Sequence, residues 1–360
     1  MASHRPPNYN EVRLHNYVRH WNRTPDLTVV DHDAVAWATE EERQERQKKY
    51  GQVARDYYDL TSPILEQGWF SSFHFAPMVP GLSIEESMIA YEQLYAKMAR
   101  LKKGMRVLDL GCGVGGPARV IAAETGANIV GLTNSDWHVE RGTAMTKKAG
   151  LDHLITFVKG DYMKLPFPDE SFDAAYSIEA LCYAPDPILA YREIQRVLKP
   201  GAPFTLHDFA MTEKFDESIP EHRKVRNWIE FGNGMTKLAW VPSMREALKG
   251  AGFEVIREED VQLRSAPMPW YFAPAGNIWW AWRTPGWTDF WKVFKMWMPF
   301  RNVVQNIYRL RYYVGLEPKE SSSLFDMMWY CPKGCATGAA MGIFTPMYLF
   351  ICEKPAKKKA

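Results

Sequence analysis

The stretch Val107-Leu108-Asp109-Leu110-Gly111-Cys112-Gly113-Val114-Gly115-Gly116 constrains this chain more than any other. An apolar run from Met105 to Leu110 reads as a buried parallel strand, and glycines then open a helix over Pro117 to Ala123. Glycine takes positive φ at little cost and carries no side chain, so such a turn lets backbone approach a ligand closely. Asp109 stands at the carboxyl end of the strand, where open α/β sheets bind ligands. The spacing Asp109-x-Gly111-x-Gly113-x-Gly115 is not the dinucleotide pattern G-x-G-x-x-G, which also expects an acidic residue about 20 residues on. Here the next strand, 128–132, runs into Thr133-Asn134-Ser135 with no carboxylate.

Strand-like and helix-like runs alternate from Gly104 onward. Strands are expected at 105–110, 128–132, 154–158, 172–178, 203–209, 253–258 and 346–353, with amphipathic helices at 84–101 and 243–250 among others. This is a doubly wound, Rossmann-like α/β pattern of seven strands. The interval from about 261 to 343 is too long for a loop and reads as a lid. The chain divides into a polar N-terminal arm (1–50), a helical cap and substrate segment (51–103) and a ligand-binding core (104–260). An aromatic-rich lid (261–343) and a final strand with a basic tail (344–360) follow. Within the arm, Glu40 to Lys49 reads as a solvated helix and the rest as loop.

With 360 residues, 46% of them hydrophobic, the chain can bury a full core. A net charge of +2 argues against a nucleic-acid partner. Five cysteines without a disulfide framework suit a reducing compartment, and Cys331-Pro-Lys-Gly-Cys335 has the wrong spacing for zinc, so no metal is expected. The polar start, Met1-Ala2-Ser3-His4-Arg5, is not a signal peptide, and the apolar stretch Ala336 to Cys352 contains Pro346, so it reads as a loop entering a buried strand rather than a membrane span. The lid carries Trp270, Trp279, Trp280, Trp282, Trp287, Trp291 and Trp297 among Lys292, Lys295 and Arg301. That composition suits an interfacial segment, or rings lining an apolar pocket.

The Asp-x-Gly-x-Gly-x-Gly turn resembles motif I of the S-adenosylmethionine (SAM)-dependent methyltransferases. The resemblance implies that Asp109 and the turn Gly111, Gly113 and Gly115 hold the methionyl end of SAM. Thr133 and Asn134 then fall where the ribose is bound, and Asp161 where the adenine amino group is; capping the next turn is the alternative for Asp161. A branched side chain at Gly111 is expected to fill ligand space with little loss of fold.

Further motifs make the resemblance specific: Gly68-Trp69, Ser71-Ser72-Phe73-His74-Phe75, Ile178-Glu179-Ala180-x-Cys182-x-Ala184-Pro185, Pro269-Trp270-Tyr271 and Phe344-Thr345-Pro346-Met347. From about residue 50 to the end, the chain resembles the sterol methyltransferases, SAM enzymes that alkylate the sterol side chain at carbon 24. The resemblance implies that Glu66, Trp69, Phe73 and Phe75 belong to the sterol pocket, joined by Tyr91, Trp270 and Tyr271. It places His74, Glu179 and Asp208 near the reacting carbon, with Glu179 also at the SAM site and Tyr183 and His207 as further catalytic candidates. Alkene methylation makes a carbocation, which aromatic faces and carboxylates favour, and a base must then remove a proton.

Several positions depart from the family pattern: Leu65 and Gln67 flank Glu66, Tyr91 replaces a histidine, Tyr183 replaces another, and strand five ends His207-Asp208-Phe209. They leave open methylation at carbon 4 of the A ring through a 3-keto enolate, for which His207, Asp208, Tyr183 and Tyr91 are suited. An N- or O-methyltransferase acting on another lipid is a further alternative, and a lipid carrier or SAM-binding regulator a non-enzymatic one. A cytoplasmic protein is expected, free or peripheral on endoplasmic reticulum or lipid droplets; a homo-oligomer is compatible with the sequence.

Overall fold

Short apolar runs alternating with amphipathic helices build one sheet. The computed structural model describes residues 9–26, 30–68, 72–265, 268–285, 287–316 and 319–356. Its strands are β1 (Arg106–Leu110), β2 (Asn128–Thr133), β3 (Ile155–Lys159), β4 (Ala174–Ile178), β5 (Pro203–Met211), β6 (Glu254–Asp260) and β7 (Phe344–Glu353). They lie in the order β3-β2-β1-β4-β5-β7-β6, with β1 to β5 mutually parallel and β7 antiparallel to both β5 and β6. Winding reverses between β1 and β4, so the carboxyl ends of those two strands flank the crevice where such sheets bind ligands.

Helices α1 (Tyr9–Val18), α2 (His32–Ala36), α3 (Glu40–Gln47), α4 (Tyr50–Gly68) and α5 (Ile84–Met98) precede the sheet. Helices α6 (Gly116–Thr125), α7 (Asp136–Lys148), α8 (Pro187–Val197), α9 (Pro220–Asn233) and α10 (Val241–Gly250) interleave with the strands. Between β6 and β7 lie α11 (Ile278–Ala281), α12 (Trp287–Met296), α13 (Met298–Tyr313) and α14 (Lys319–Ala340).

Most element ends fall within two residues of the sequence expectation. β4 starts later than expected because Phe172 only bridges Leu198, and α5 stops early where Arg100 turns to φ 57°. The expected loop after Ala336 is instead the end of α14, and β7 takes in Pro346. Proline has no N–H for the ladder, and the β5–β7 register slips between Asp208–Tyr348 and Ala210–Thr345 beside it.

Residues 9–26 and 30–49 correct the expectation of a polar arm that is loop outside one solvated helix. Leu14, Tyr17, Val18 and Trp21 repeat at helical spacing and are buried with Val30 and Val35 against Tyr57, Leu60, Phe231, Met327 and Tyr330. Each buried Leu or Val of this kind stabilises by about 1.5–3 kcal/mol. Helix α3 is solvated along one face, where Glu40, Glu41, Gln44 and Glu45 are exposed, and buries Arg43 and Arg46 on the other. Arg43 donates to both oxygens of the buried Glu230, at 3.0 and 2.6 Å, and the Arg46 guanidinium lies 4.1 Å from the centre of the Trp21 ring. This docking fixes the start of α4, whose Tyr50, Ala54 and Tyr58 face the crevice. No described helix is long and apolar enough to cross a membrane.

Candidate active site

Two cavities meet at the carboxyl ends of β1 and β4. The first, about 260 Å³, is the more polar of the two and is built around the glycine turn. Asp109, Gly111, Gly113, Thr133, Asn134 and Asp161 all line it, under a roof of Tyr50, Ala54 and Tyr58 from α4. Asp109 is buried and accepts a hydrogen bond from the Tyr176 hydroxyl at 3.0 Å; burial outweighs that donor and pushes its carboxyl up to about 7.

The glycines of the turn do different things. Gly111 has φ 79°, and a Cβ there would lie 2.2 Å from the Ala180 Cβ. It is fixed by packing against the loop after β4, which corrects the expectation that a branched residue would leave the fold intact. Gly113 has φ 53°, and a Cβ there would meet no protein atom within 4 Å, so it leaves room for a ligand. Gly115 does not line the cavity; it precedes α6, and a Cβ would strike the Phe157 ring at 2.6 Å.

Asp161 caps the turn, as its alternative reading expected, and also lines the cavity. One oxygen accepts from the Met163 amide at 2.8 Å, capping the turn, and the other from the Tyr50 hydroxyl at 2.5 Å while facing the cavity. Sequence reasoning missed His138. It is buried beneath the cavity with Nδ1 3.1 Å from Thr133 Oγ1 and Nε2 3.1 Å from Ser62 Oγ, and burial lowers its pKa to about 4. The only signal for it is the N-cap spacing Ser135-x-x-His138 at the start of α7.

The second cavity, about 160 Å³, is apolar and lies beneath the lid. Tyr57, Phe75, Phe209, Met235, Met296 and Met328 line it, and neither Asn233 nor the lid's Pro274 and Met residues were anticipated. Tyr58, Phe73, His74, Glu179 and Tyr183 border both cavities. These five side chains form a window between the more polar chamber and the more apolar one.

Four of the five side chains of the window are held by hydrogen bonds. Glu179 follows β4 at φ 52°, its N–H donates to the His207 carbonyl at 2.7 Å, and its Oε1 accepts from the Phe75 amide at 2.7 Å. Burial raises its carboxyl well above the ordinary range. His74 directs Nε2 to Glu92 at 2.8 Å and Nδ1 to the Phe75 carbonyl at 2.9 Å, so neither nitrogen is presented to the window. That makes His74 a wall rather than an available base. The Tyr183 hydroxyl donates to the Asn233 carbonyl at 2.7 Å, so the Tyr58 hydroxyl must donate to Tyr183 across 2.9 Å.

Other candidates lie elsewhere. His207 is fully buried behind Glu179, 3.6 Å from its Oε1; its Nε2–H donates to the Pro346 carbonyl at 3.1 Å and burial lowers its pKa to about 3. Asp208, next along the same strand, necessarily points to the other face. It bounds a separate cavity with Leu181, Cys182 and Tyr191, which removes it from the reacting centre. Tyr91 packs on His207 at 5.2 Å between ring centres and lines neither chamber. Trp270 backs Phe75 at 4.8 Å as a second layer, and Tyr271 faces a surface cleft beside Thr212 and Arg245. Trp69 and the side chain of Glu66 lie outside the described residues. Among the described residues no cluster of His, Cys, Asp or Glu could hold a metal ion.

The strand order and the ligand cleft at the end of β1 define a class I methyltransferase. The model "Methyltransferase domain" matches residues 108–206, and the solved mycolic acid cyclopropane synthase complexed with SAH and CTAB superposes with a TM-score of 0.64 at 18% identity, over 84% of this chain and 98% of that one. A second model, "Sterol methyltransferase C-terminal", matches residues 291–356. The sterol 24-C-methyltransferase of Aspergillus fumigatus is 39% identical over 96% of this chain and 88% of its own length. The cycloartenol-C-24-methyltransferase of Arabidopsis thaliana is 38% identical over 87% and 90%. The chain belongs to the sterol 24-C-methyltransferase family. With 345 residues matched to the fungal relative, the likeness also reaches into the first 50 residues, beyond what the motifs alone covered.

Proposed function

We propose that this protein transfers the methyl group of SAM to carbon 24 of a sterol side chain. The observation that carries the reading is the window: five aromatic and acidic side chains stand where the chamber lined by Asp109, Thr133, Asn134 and Asp161 meets a more apolar one. The carbon-24 activity of the relatives favours side-chain alkylation over A-ring methylation or methylation of another lipid.

Open space at Gly113 and polar groups at Asp109, Thr133, Asn134 and Asp161 suit a methionyl, ribose and adenine assembly. When bound there, SAM supplies an electrophilic methyl on a positively charged sulfur. The rings of Phe73, Tyr58 and Tyr183 would face the cation that forms on the alkene, and their quadrupoles favour positive charge. A sulfonium or carbocation beside Glu179 favours its carboxylate form, opposing the effect of burial. Glu179 is therefore the residue we assign to stabilise the cation and to accept the proton that leaves afterwards. His207, kept neutral by burial, packs behind Glu179 and holds its backbone N–H through the His207 carbonyl without entering the chamber, and Glu92 holds His74 as part of the wall.

The test is direct. Purified protein is incubated with isotopically methyl-labelled SAM and a sterol bearing a side-chain alkene, and mass spectrometry locates the label. Label on carbon 24 is expected. Label on the A ring beside an unmodified side chain would overturn the reading.

A further inference from the structure

Helix α9 ends inside the protein, and tyrosines take up its last carbonyls. The Tyr17 hydroxyl donates to the Phe231 carbonyl, the Tyr57 hydroxyl to that of Gly232 at 3.0 Å and the Tyr183 hydroxyl to that of Asn233 at 2.7 Å. Such carbonyls have no partner within their own helix and form the negative pole of its dipole. The last turn of α9 carries no basic side chain, and Arg43, which reaches it from α3, is paired with Glu230. Of the three tyrosines, Tyr183 borders both chambers.

Donor and acceptor capacity then places the protons. A carbonyl only accepts, so the Tyr183 proton is committed to Asn233, and the Tyr58 hydroxyl, 2.9 Å away, commits its own to Tyr183. Burial raises both hydroxyls above their ordinary value, so both keep their protons. The Tyr58 ring is held by Tyr57 at 5.2 Å, His138 at 5.7 Å and Tyr183 at 5.7 Å between ring centres. Both O–H bonds therefore point toward the end of α9, and their dipoles add to that of the helix. The far end of this chain is the Tyr58 oxygen, whose remaining capacity is its lone pairs.

We propose that Tyr183 is a positioning residue for methyl transfer: it fixes the Tyr58 hydroxyl so that oxygen lone pairs, and not a proton, meet the positive charge that passes through the window. The proposal rests on the methyl-transfer reading of the window, though not on which carbon receives the methyl. An O–H bond directed at a sulfonium or a carbocation would oppose it, whereas an oxygen already donating elsewhere attracts it. The ring face attracts a cation whichever way the hydroxyl points, so ring and hydroxyl can be tested apart.

The experiment compares SAM with S-adenosylhomocysteine (SAH), which lacks the methyl and its positive charge, by calorimetry without sterol. Tyr58→Phe keeps the ring and removes the oxygen, and should lower SAM affinity about three- to tenfold relative to SAH. Tyr183→Phe leaves that oxygen in place but releases its proton, and should give a loss of similar size. The double variant should lose no more than Tyr58→Phe alone, because Tyr183 acts through Tyr58. Turnover should follow, with kcat falling and KM for sterol steady. Equal losses of SAM and SAH would overturn the proposal, as would losses that add in the double variant. Tyr183→Phe also strands the buried Asn233 carbonyl, so its melting temperature should fall. If it does not fold, Tyr58→Phe decides by itself, since its Tyr183–Asn233 bond is intact. The position of the label in the product tests the carbon-24 reading and does not depend on the SAM-to-SAH ratio, so the two failures are distinguishable.

Discussion

The Phe75 amide donates to Glu179 Oε1 at 2.7 Å, so a backbone group of the aromatic segment before the sheet holds the carboxyl that follows β4. Glu179 sits at φ 52°, a conformation disfavoured for a residue with a Cβ. It persists because both its N–H and its carboxyl are tied. Such strain recurs at functional sites, and here it aims a carboxyl at the junction of two chambers.

Glu179→Gln keeps an oxygen for the Phe75 amide and removes the charge. Turnover should fall about 10²–10³-fold if the carboxylate stabilises a cation. SAM affinity, measured by calorimetry, should fall far less than turnover, because the sulfonium gains from the carboxylate less than the developing cation does. A variant with near-native single-turnover rates would remove Glu179 from the chemistry.

Gly111 and Gly113 should separate fold from binding. Gly111→Ala drives a Cβ into Ala180 and should destabilise by about 1–3 kcal/mol. Gly113→Ala meets no protein atom, so it should cost about 1 kcal/mol for its backbone conformation and yet weaken SAM binding at least about tenfold. Melting curves and calorimetry read the two effects. Unchanged SAM affinity in Gly113→Ala would place the ligand elsewhere.

The cavity wall was legible wherever a motif carried it. Asp109, Thr133, Asn134, Asp161, Phe73, His74, Glu179 and Tyr183 all reach the two chambers. Asp208 was not legible, because one residue of strand register decides which face it meets and a bulge follows directly after it. His138 stands in an ordinary helix, and its N-cap spacing from Ser135 marks a helix start rather than a cavity. Arg43 pairs with a carboxylate 187 residues away, so its burial could not be read locally, and charged neighbours hid the helical stripe of Leu14, Tyr17, Val18 and Trp21.

Asp208 offers a pH test of that placement. Burial raises its carboxyl from 3.8 to about 7, so the folded state binds more protons than the unfolded state across that window. Its contribution therefore falls as pH rises from about 4 to 7, by up to about 1.4 kcal/mol per pH unit, and is constant above. His138 and His207, lowered to about 4 and 3, act in the opposite sense up to about 6.5, so the informative quantity is a difference. Denaturant titrations of wild type and Asp208→Asn should show the variant gaining relative stability as pH rises from 5 to 7. Parallel pH profiles would mean that Asp208 is not buried as described.

A sterol bearing an ammonium in place of the reacting side-chain carbon tests the nature of the window. It sets a fixed positive charge where the transition state develops one, so it should inhibit more strongly than the neutral sterol binds. Tyr58 and Phe73 border both chambers and neither ring carries charge. Tyr58→Leu and Phe73→Leu conserve apolar character but remove a quadrupole, and each should weaken the ammonium compound by about 0.5–2 kcal/mol. The neutral sterol should be affected less, because its loss is confined to packing. Inhibition constants of charged and neutral ligands against the same two variants give the comparison. Equal losses for both ligands would leave the rings as mere walls, and an ammonium sterol that binds no better than its neutral counterpart would argue that no cation forms at this window.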